Sequence, residues 1–312
     1  MEHRRLGDSD LRVSEICLGT WTTFGGSLDD DAAIALVDAA FDLGIDFFDT
    51  ANVYSQGRSE EVLGRALAQR PRDSYLVATK VYGTMPDGDR GLSREQVLKQ
   101  IDASLGRLQL DHVDLYQCHS WDDDVPVEET LGALTEVVEA GKARLIGISN
   151  WSGRQIRRAV ELARKHGFAK IVSSQPEYSL LQREPEGDVI PASRENGVSQ
   201  IVWSPLAHGV LTGKYRPGEA FAEDTRAAAR PGGLMSRYLT DDLYHRVQQL
   251  GPIAEAIGIS TAQLALAWVL REPNVASAIV GASRPEQLRD NAAASGVELD
   301  EATLQAIDAV FA

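Results

Sequence analysis

The stretch YLVATKVYGTMPDGDRGLSREQVLKQIDASLGRLQLDHVDLYQC, residues 75–118, holds two apolar runs separated by a helical pattern. YLVATK and VDLYQC are too continuous to be one-sided strands, so both faces of each are expected to be covered. In SREQVLKQIDASLGRL, Ser93 and Gln96 have capping-box spacing, and Val97, Ile101, Leu105 and Leu108 fall on one helical face. Strand, helix and strand in this order predict a βαβ unit and parallel pairing.

The same unit recurs outward in both directions. EICLG from Glu15 and IDFFD from Ile45 precede it; ARLIGIS from Ala143, KIVSSQ from Lys170, QIVWS from Gln200 and SAIVG from Ser277 follow. Ser152 with Gln155 starts a further helix that Gly167 closes, and Ser260 with Gln263 repeats the device before LALAWVL. Eight strand runs at intervals of about thirty residues predict a (β/α)8 TIM barrel. The rival, a doubly wound open sheet, wants a Gly-x-Gly-x-x-Gly turn after its first strand, and GTWTTFGG does not supply one.

Two irregularities stand out. MEHRRLGDSDLRV reads as a hairpin turning at Gly7-Asp8, placed to plug the barrel floor. The interval between strands seven and eight is far longer than the others. It carries a polar, Gly/Pro-rich loop over about Ala207 to Thr240 and an extra helix near Asp241 to Ile257. Extra helices are thus expected before and after strand eight, in a single barrel domain spanning 1–312.

The 312 residues are 43% hydrophobic and 25% charged, with a formal net charge of −15. That balance argues against nucleic acid or an anionic membrane as a natural partner. The first residues lack the apolar segment of a secretory signal, and no run reaches the ~20 apolar residues of a membrane span. Cys17 and Cys118 lie in apolar runs and read as reduced thiols of a cytoplasmic protein.

In a β/α barrel the working rim lies at the C-terminal strand ends. Those ends deliver Asp49 after strand two, Lys80 after strand three and His119 after strand four, with Tyr54 just beyond Asp49. Each alone has a plain reading, as a helix cap, a solvated amine or a structural imidazole. Together at one rim they make a proton-transfer set. A phenol of pKa ~10 is too weak an acid near neutrality, an ammonium beside it lowers that value, and a carboxylate holds the ammonium charged and placed. His119 then orients a carbonyl oxygen or shares its proton. No Gly-x-Ser-x-Gly elbow is present, the six histidines lack metal-ligand spacing, and GVLTGK is one residue short of a phosphate loop. With no nucleophile in the chain, a cofactor's hydride is the expected one.

Asp49, Tyr54, Lys80 and His119, with LGTW at 18–21, GISNW at 147–151 and WSPLAHGVLTGKY at 203–215, resemble the aldo-keto reductases over nearly the whole chain. GTWTTFGG and LSREQ…SLGRLQLDHVDL look closest to the branch of voltage-gated potassium channel beta subunits and their bacterial relatives. Those subunits carry asparagine where this chain has His119, the residue of typical reductases, which favours a working enzyme. The resemblance implies NADP(H) lying extended across the barrel top. Thr20 and Trp21 would border it. Trp203 would stack on the nicotinamide, and Ser149, Asn150 and Gln175 would bind its carboxamide. Ser204, Pro205, Leu206 and Gly209 to Lys214 would follow the pyrophosphate, and Gly281, Ser283, Arg284, Gln287 and Asn291 the adenosine half. Lys214, Arg226 and Arg284 are the local cations for so anionic a ligand, and Arg284 at a 2′-phosphate favours NADP over NAD.

Trp21, Tyr82, Trp121 and Trp151 all follow strand ends and outline an apolar mouth for an aldehyde or ketone. Two other readings stay open at this level: a nucleotide-sensing binding subunit with slow chemistry, and a Schiff-base enzyme using Lys80. Related channel subunits assemble as tetramers, so a homo-oligomer is possible.

Overall fold

The computed structural model describes residues 1–221, 228 and 233–311. The chain opens on an antiparallel hairpin, β1 (His3–Arg5) and β2 (Arg12–Ser14). Its turn depends on Gly7, at φ +53°, where a Cβ would stand 2.3 Å from the Val172 carbonyl oxygen. The Gly7 and Asp8 amides donate to Ser199 Oγ and the Gly197 carbonyl, which seats the turn against the barrel.

Eight parallel strands follow: β3 (Ile16–Gly19), β4 (Phe47–Asp49), β5 (Leu76–Val81), β6 (Val113–Cys118), β7 (Ala143–Ser149), β8 (Ile171–Gln175), β9 (Ser199–Val202) and β10 (Val275–Val280). They pair in chain order and close as β10 returns to β3, which is the (β/α)8 TIM barrel expected. Helices α1 (Asp30–Asp42), α2 (Arg58–Leu67), α3 (Arg94–Leu108), α4 (Val127–Glu139), α5 (Gly153–His166) and α6 (Val189–Glu195) each follow one strand. After β9 come α7 (Asp241–Gln248), α8 (Leu250–Ala256) and α9 (Thr261–Leu270); after β10 come α10 (Pro285–Ala292) and α11 (Glu301–Phe311). The extra helices before and after the eighth barrel strand are therefore present. The one near Asp241 is two pieces, because Pro252 has no amide to donate to Gln248 and its ring crowds that carbonyl.

Capping follows the spacing at two helices of three. Ser152 with Gln155 and Ser260 with Gln263 form reciprocal boxes, and Gly167 ends α5 at φ 70°. At α3, Ser93 accepts from the Gln96 amide, but Gln96 Oε1 takes no bond from the Ser93 amide, and its Nε2 donates to Asp89.

Period-two alternation builds the site's foundation. One set of inward positions, Cys17, Phe47, Ala78, Leu115, Val172, Ile201 and Ala276, packs with Leu145 onto Leu6, Leu11 and Val13 of the hairpin. This is the plugged floor. Two residues further along, the same faces of β3 to β7 carry Gly19, Asp49, Lys80, Gln117 and Gly147. The barrel interior is thus apolar below and polar above, and burying that floor stabilises a polar layer that could not pack alone. No single helix among the described residues is long and apolar enough to cross a membrane.

Candidate active site

β4 ends at Asp49 and β5 carries Lys80 to the same height, since Asp49 pairs in register with Ala78 two residues before it. Both side chains are cut off from water, and Lys80 Nζ lies 2.5 Å from Asp49 Oδ1. The ammonium has three protons and three acceptors: Asp49 Oδ1, the Thr50 carbonyl at 2.8 Å and the Tyr54 hydroxyl at 3.3 Å. Every donor of the buried amine is used, which is what allows it to stay charged there.

Tyr54 reaches this point through an unusual turn. Ser55 and Gln56 sit at φ 46° and 57°, and Gly57 at φ 92° starts α2. Left-handed backbone at two non-glycine residues costs on the order of 1–3 kcal/mol each and collects where function holds it. The turn is tied back to the neighbouring strand by the Asn52 amide on the Lys80 carbonyl, 3.2 Å. On the other side, His119 follows β6, its Nε2 3.5 Å from the Tyr54 hydroxyl and its ring edge-on to the phenol. One phenolic oxygen is therefore flanked by an ammonium and an imidazole.

The electrostatics refine the expectation for this phenol. Loss of water raises the Tyr54 pKa, and the Lys80 ammonium, which pulls it down, does not offset that rise. The net direction is upward, so the hydroxyl keeps its proton at neutral pH, the reverse of the lowering expected from the charge alone. Burial would also neutralise Lys80, but Asp49 and Tyr54 outweigh it and hold the ammonium above the ordinary lysine value. His119 is pushed down to about 3, by burial first and by Lys80 second, and is neutral.

Gln175 closes β8 and reaches across the barrel to donate its Nε2 to Asp49 Oδ2 at 2.9 Å. Its main-chain carbonyl accepts from Ser149 Oγ and from the Asn150 amide. Asn150, at φ 58°, donates to the His119 carbonyl and accepts from the Trp203 indole at 3.0 Å. Trp203, Asn150, Ser149 and Gln175 thus form one continuous hydrogen-bonded wall joined to the Asp49–Lys80–Tyr54 cluster. Thr20 is fully buried and its hydroxyl points to the Asp49 carbonyl, so it braces that strand end.

Beyond β9 the backbone turns left-handed at Ser204, Ala207, His208 and Gly209. Such a run turns amides toward one concavity. At Gly209, φ +93°, a Cβ would stand 3.3 Å from Lys214 Nζ, so the glycine leaves room beside a cation. Past β10, Ser283 donates through its amide and hydroxyl to Gln287 Oε1, with Arg284 and Gly281 exposed and Asn291 buried on α10. Because β9 and β10 are neighbours, these two segments share one side of the rim. A cradle of amides, a lysine and a helix start fits a phosphate-bearing dinucleotide. Arg226 lies outside the described residues.

The aromatic residues separate into two kinds. Trp21 is 41% exposed, with its ring 6.4 Å from Tyr54 and 6.1 Å from His208. Trp121 is half-buried and meets Trp151 edge-on at 4.6 Å, while Trp151 is only 2% exposed and joins the core. Tyr82 is half-buried, its hydroxyl accepting from Arg90. Trp21 thus borders the phenol directly, and Trp151 acts from behind Trp121.

Sequence reasoning passed over a cluster on this rim. Glu177, just past β8, takes Arg237 with both oxygens and Tyr238 at 3.2 Å, and lies 3.9 Å from His208. His208 stood inside the quoted WSPLAHGVLTGKY, and its left-handed neighbour Gly209 was the available signal.

A parallel β/α barrel with a buried acid–amine pair, a phenol and a neutral imidazole at its C-terminal rim is the class of protein that this fold and site define. Residues 15–312 match the Aldo/keto reductase family, and the chain belongs to that family. It is 41% identical over 295 residues to a probable voltage-gated potassium channel subunit beta of Oryza sativa subsp. japonica, covering 93% of this chain and 90% of that protein. A protein of the same name from Arabidopsis thaliana is 39% identical over 295 residues, covering 93% of this chain and 90% of its own length. A putative voltage-gated potassium channel subunit beta of Schizosaccharomyces pombe is 40% identical over 298 residues, covering 92% and 86%.

Proposed function

We propose that this protein is an NADP(H)-dependent reductase of aldehydes or ketones, with Tyr54 as the proton donor. The observation that carries the reading is Lys80, which bonds Asp49 and the Tyr54 hydroxyl at once while His119 approaches the same oxygen. A bound reduced nicotinamide supplies the hydride. The substrate carbonyl oxygen sits against the Tyr54 hydroxyl, and neutral His119 fixes its direction. As the carbon gains hydride, the carbonyl π pair moves to oxygen and takes the Tyr54 proton. Lys80, held charged by Asp49, stabilises the phenolate left behind. The carbonyl is thereby reduced to an alcohol, and water returns the proton to Tyr54.

The chain's own residues support each part of the cofactor's seat. Trp203 would face the ring; Asn150, Ser149 and Gln175 would offer amide and hydroxyl groups to its carboxamide. Ser204 to Leu206 and Gly209 to Lys214 would follow the diphosphate, and Ser283, Arg284, Gln287 and Asn291 would hold the adenosine half. Trp21, Tyr82 and Trp121 give the mouth its apolar character.

Tyr54→Phe tests this reading. Carbonyl reduction is expected to fall about 10²–10⁴-fold while NADPH affinity, read by cofactor fluorescence, stays within a few fold. Normal turnover by the variant would remove Tyr54 from the role. A second reading is favoured by the names of the relatives: a binding subunit of a potassium channel whose nucleotide occupancy matters more than its turnover. NADPH binding without reduction of a simple aromatic aldehyde would favour that alternative.

A further inference from the structure

We propose that Gln175 is a positioning residue that holds the Asp49 carboxylate in line with Lys80 and Tyr54 and ties that alignment to the nicotinamide seat. The proposal rests on the reductase reading above. Asp49 divides its oxygens: Oδ1 takes Lys80 and Oδ2 takes Gln175 Nε2. Because all three Lys80 protons are committed, a turn of the carboxylate drags the ammonium away from the Tyr54 hydroxyl. Gln175 prevents that turn, and its strand end is held through the main-chain carbonyl by Ser149 Oγ and the Asn150 amide.

A glutamine amide has a donor end and an acceptor end. Here the donor end is spent on Asp49, and Oε1 makes no hydrogen bond among the described residues. A carboxamide N–H donated to Oε1 polarises the amide and strengthens the Nε2–H bond to Asp49. Occupancy of the seat is thereby felt at Asp49, 126 residues away in the chain, and through it at Lys80, two hydrogen bonds away in space.

Gln175→Glu and Gln175→Met separate this role from others. In Gln175→Glu two carboxyl groups face each other, so the introduced one must keep its proton to bond Asp49, and its pKa rises. A raised carboxyl pKa stabilises the fold below the glutamate range, and that stability is lost as pH climbs through the raised value. The titratable groups facing it are Asp49, Lys80, Tyr54 and His119, with Cys17 below. The melting temperature of the cofactor-free variant, measured against wild type from about pH 5 to about 8.5, should fall with rising pH. kcat should fall on the same midpoint, by about thirtyfold or more at the alkaline end, and recover in acid.

Gln175→Met should lower kcat at all pH values, with a smaller loss of NADPH affinity. Three results overturn the proposal: no pH-dependent loss of stability in Gln175→Glu, a stability loss that kcat does not follow, or a Gln175→Met variant that loses only affinity. A wild-type protein without turnover overturns the reductase reading instead, and the cofactor-free melting curves still judge the Gln175–Asp49 contact.

Discussion

Replacing Lys80 by methionine leaves Asp49 as a buried carboxylate without its counter-charge. At 2.5 Å and an effective dielectric near 20, the attraction removed is about 7 kcal/mol gross. Lys80 also gives up its own desolvation cost when it goes, so the net loss is smaller. Breaking a buried pair from one side costs about 3–5 kcal/mol, and here the Thr50 carbonyl also loses its donor. Lys80→Met should therefore be less stable by about 3–5 kcal/mol, read from urea unfolding as a shift of midpoint at constant slope.

The double variant Asp49→Asn/Lys80→Met removes both charges and should recover most of that loss, because a neutral polar and apolar pair has no ion to desolvate. Turnover should not recover, since neither variant stabilises the Tyr54 phenolate. A double variant as unstable as the single one would refute the claim that an uncompensated charge is the cause. A double variant that regains activity would refute the role given to Lys80.

His119 yields a pH prediction. Its folded pKa, about 3, lies below the unfolded value, so between them the unfolded chain binds more protons and stability rises with pH. Stability should be lost as pH falls from about 6.5 toward 3, and His119→Asn should flatten that slope in pH-dependent unfolding relative to wild type. Gly147→Ala puts a Cβ 2.1 Å from Ser173 Oγ and 3.1 Å from Gln117 Cγ. A loss of about 1–3 kcal/mol is expected by thermal unfolding; an unchanged melting temperature would mean the barrel top is looser than its geometry. Arg284→Ala should weaken NADPH roughly ten- to hundredfold and NADH much less, by fluorescence titration. Equal losses would exclude a 2′-phosphate contact.

What the chain announced in advance divides along a physical line. The barrel was legible because two-sided burial writes itself into each strand as an unbroken apolar run, and YLVATK or VDLYQC can be read without knowing a partner. Asp49, Lys80 and His119 were legible for the same reason: a polar residue at or near the end of such a run falls at the C-terminal end of the barrel. Gly7 marked the hairpin because a turn over Val172 leaves no space for a Cβ. The rest depended on distances that no local pattern encodes. Whether Gln96 Oε1 reaches the Ser93 amide, as Gln263 Oε1 reaches that of Ser260, depends on where the fold sets each side chain. Whether the Tyr54 pKa rises or falls is a contest between an ammonium at 3.3 Å and the water excluded around the hydroxyl. Charge is written in the sequence, but depth is a property of the closed barrel. The Asp49–Gln175 bond is of the same kind, since each residue alone is an ordinary strand end. Only closure of the barrel sets β4 facing β8 across its interior and turns two strand ends into one hydrogen bond.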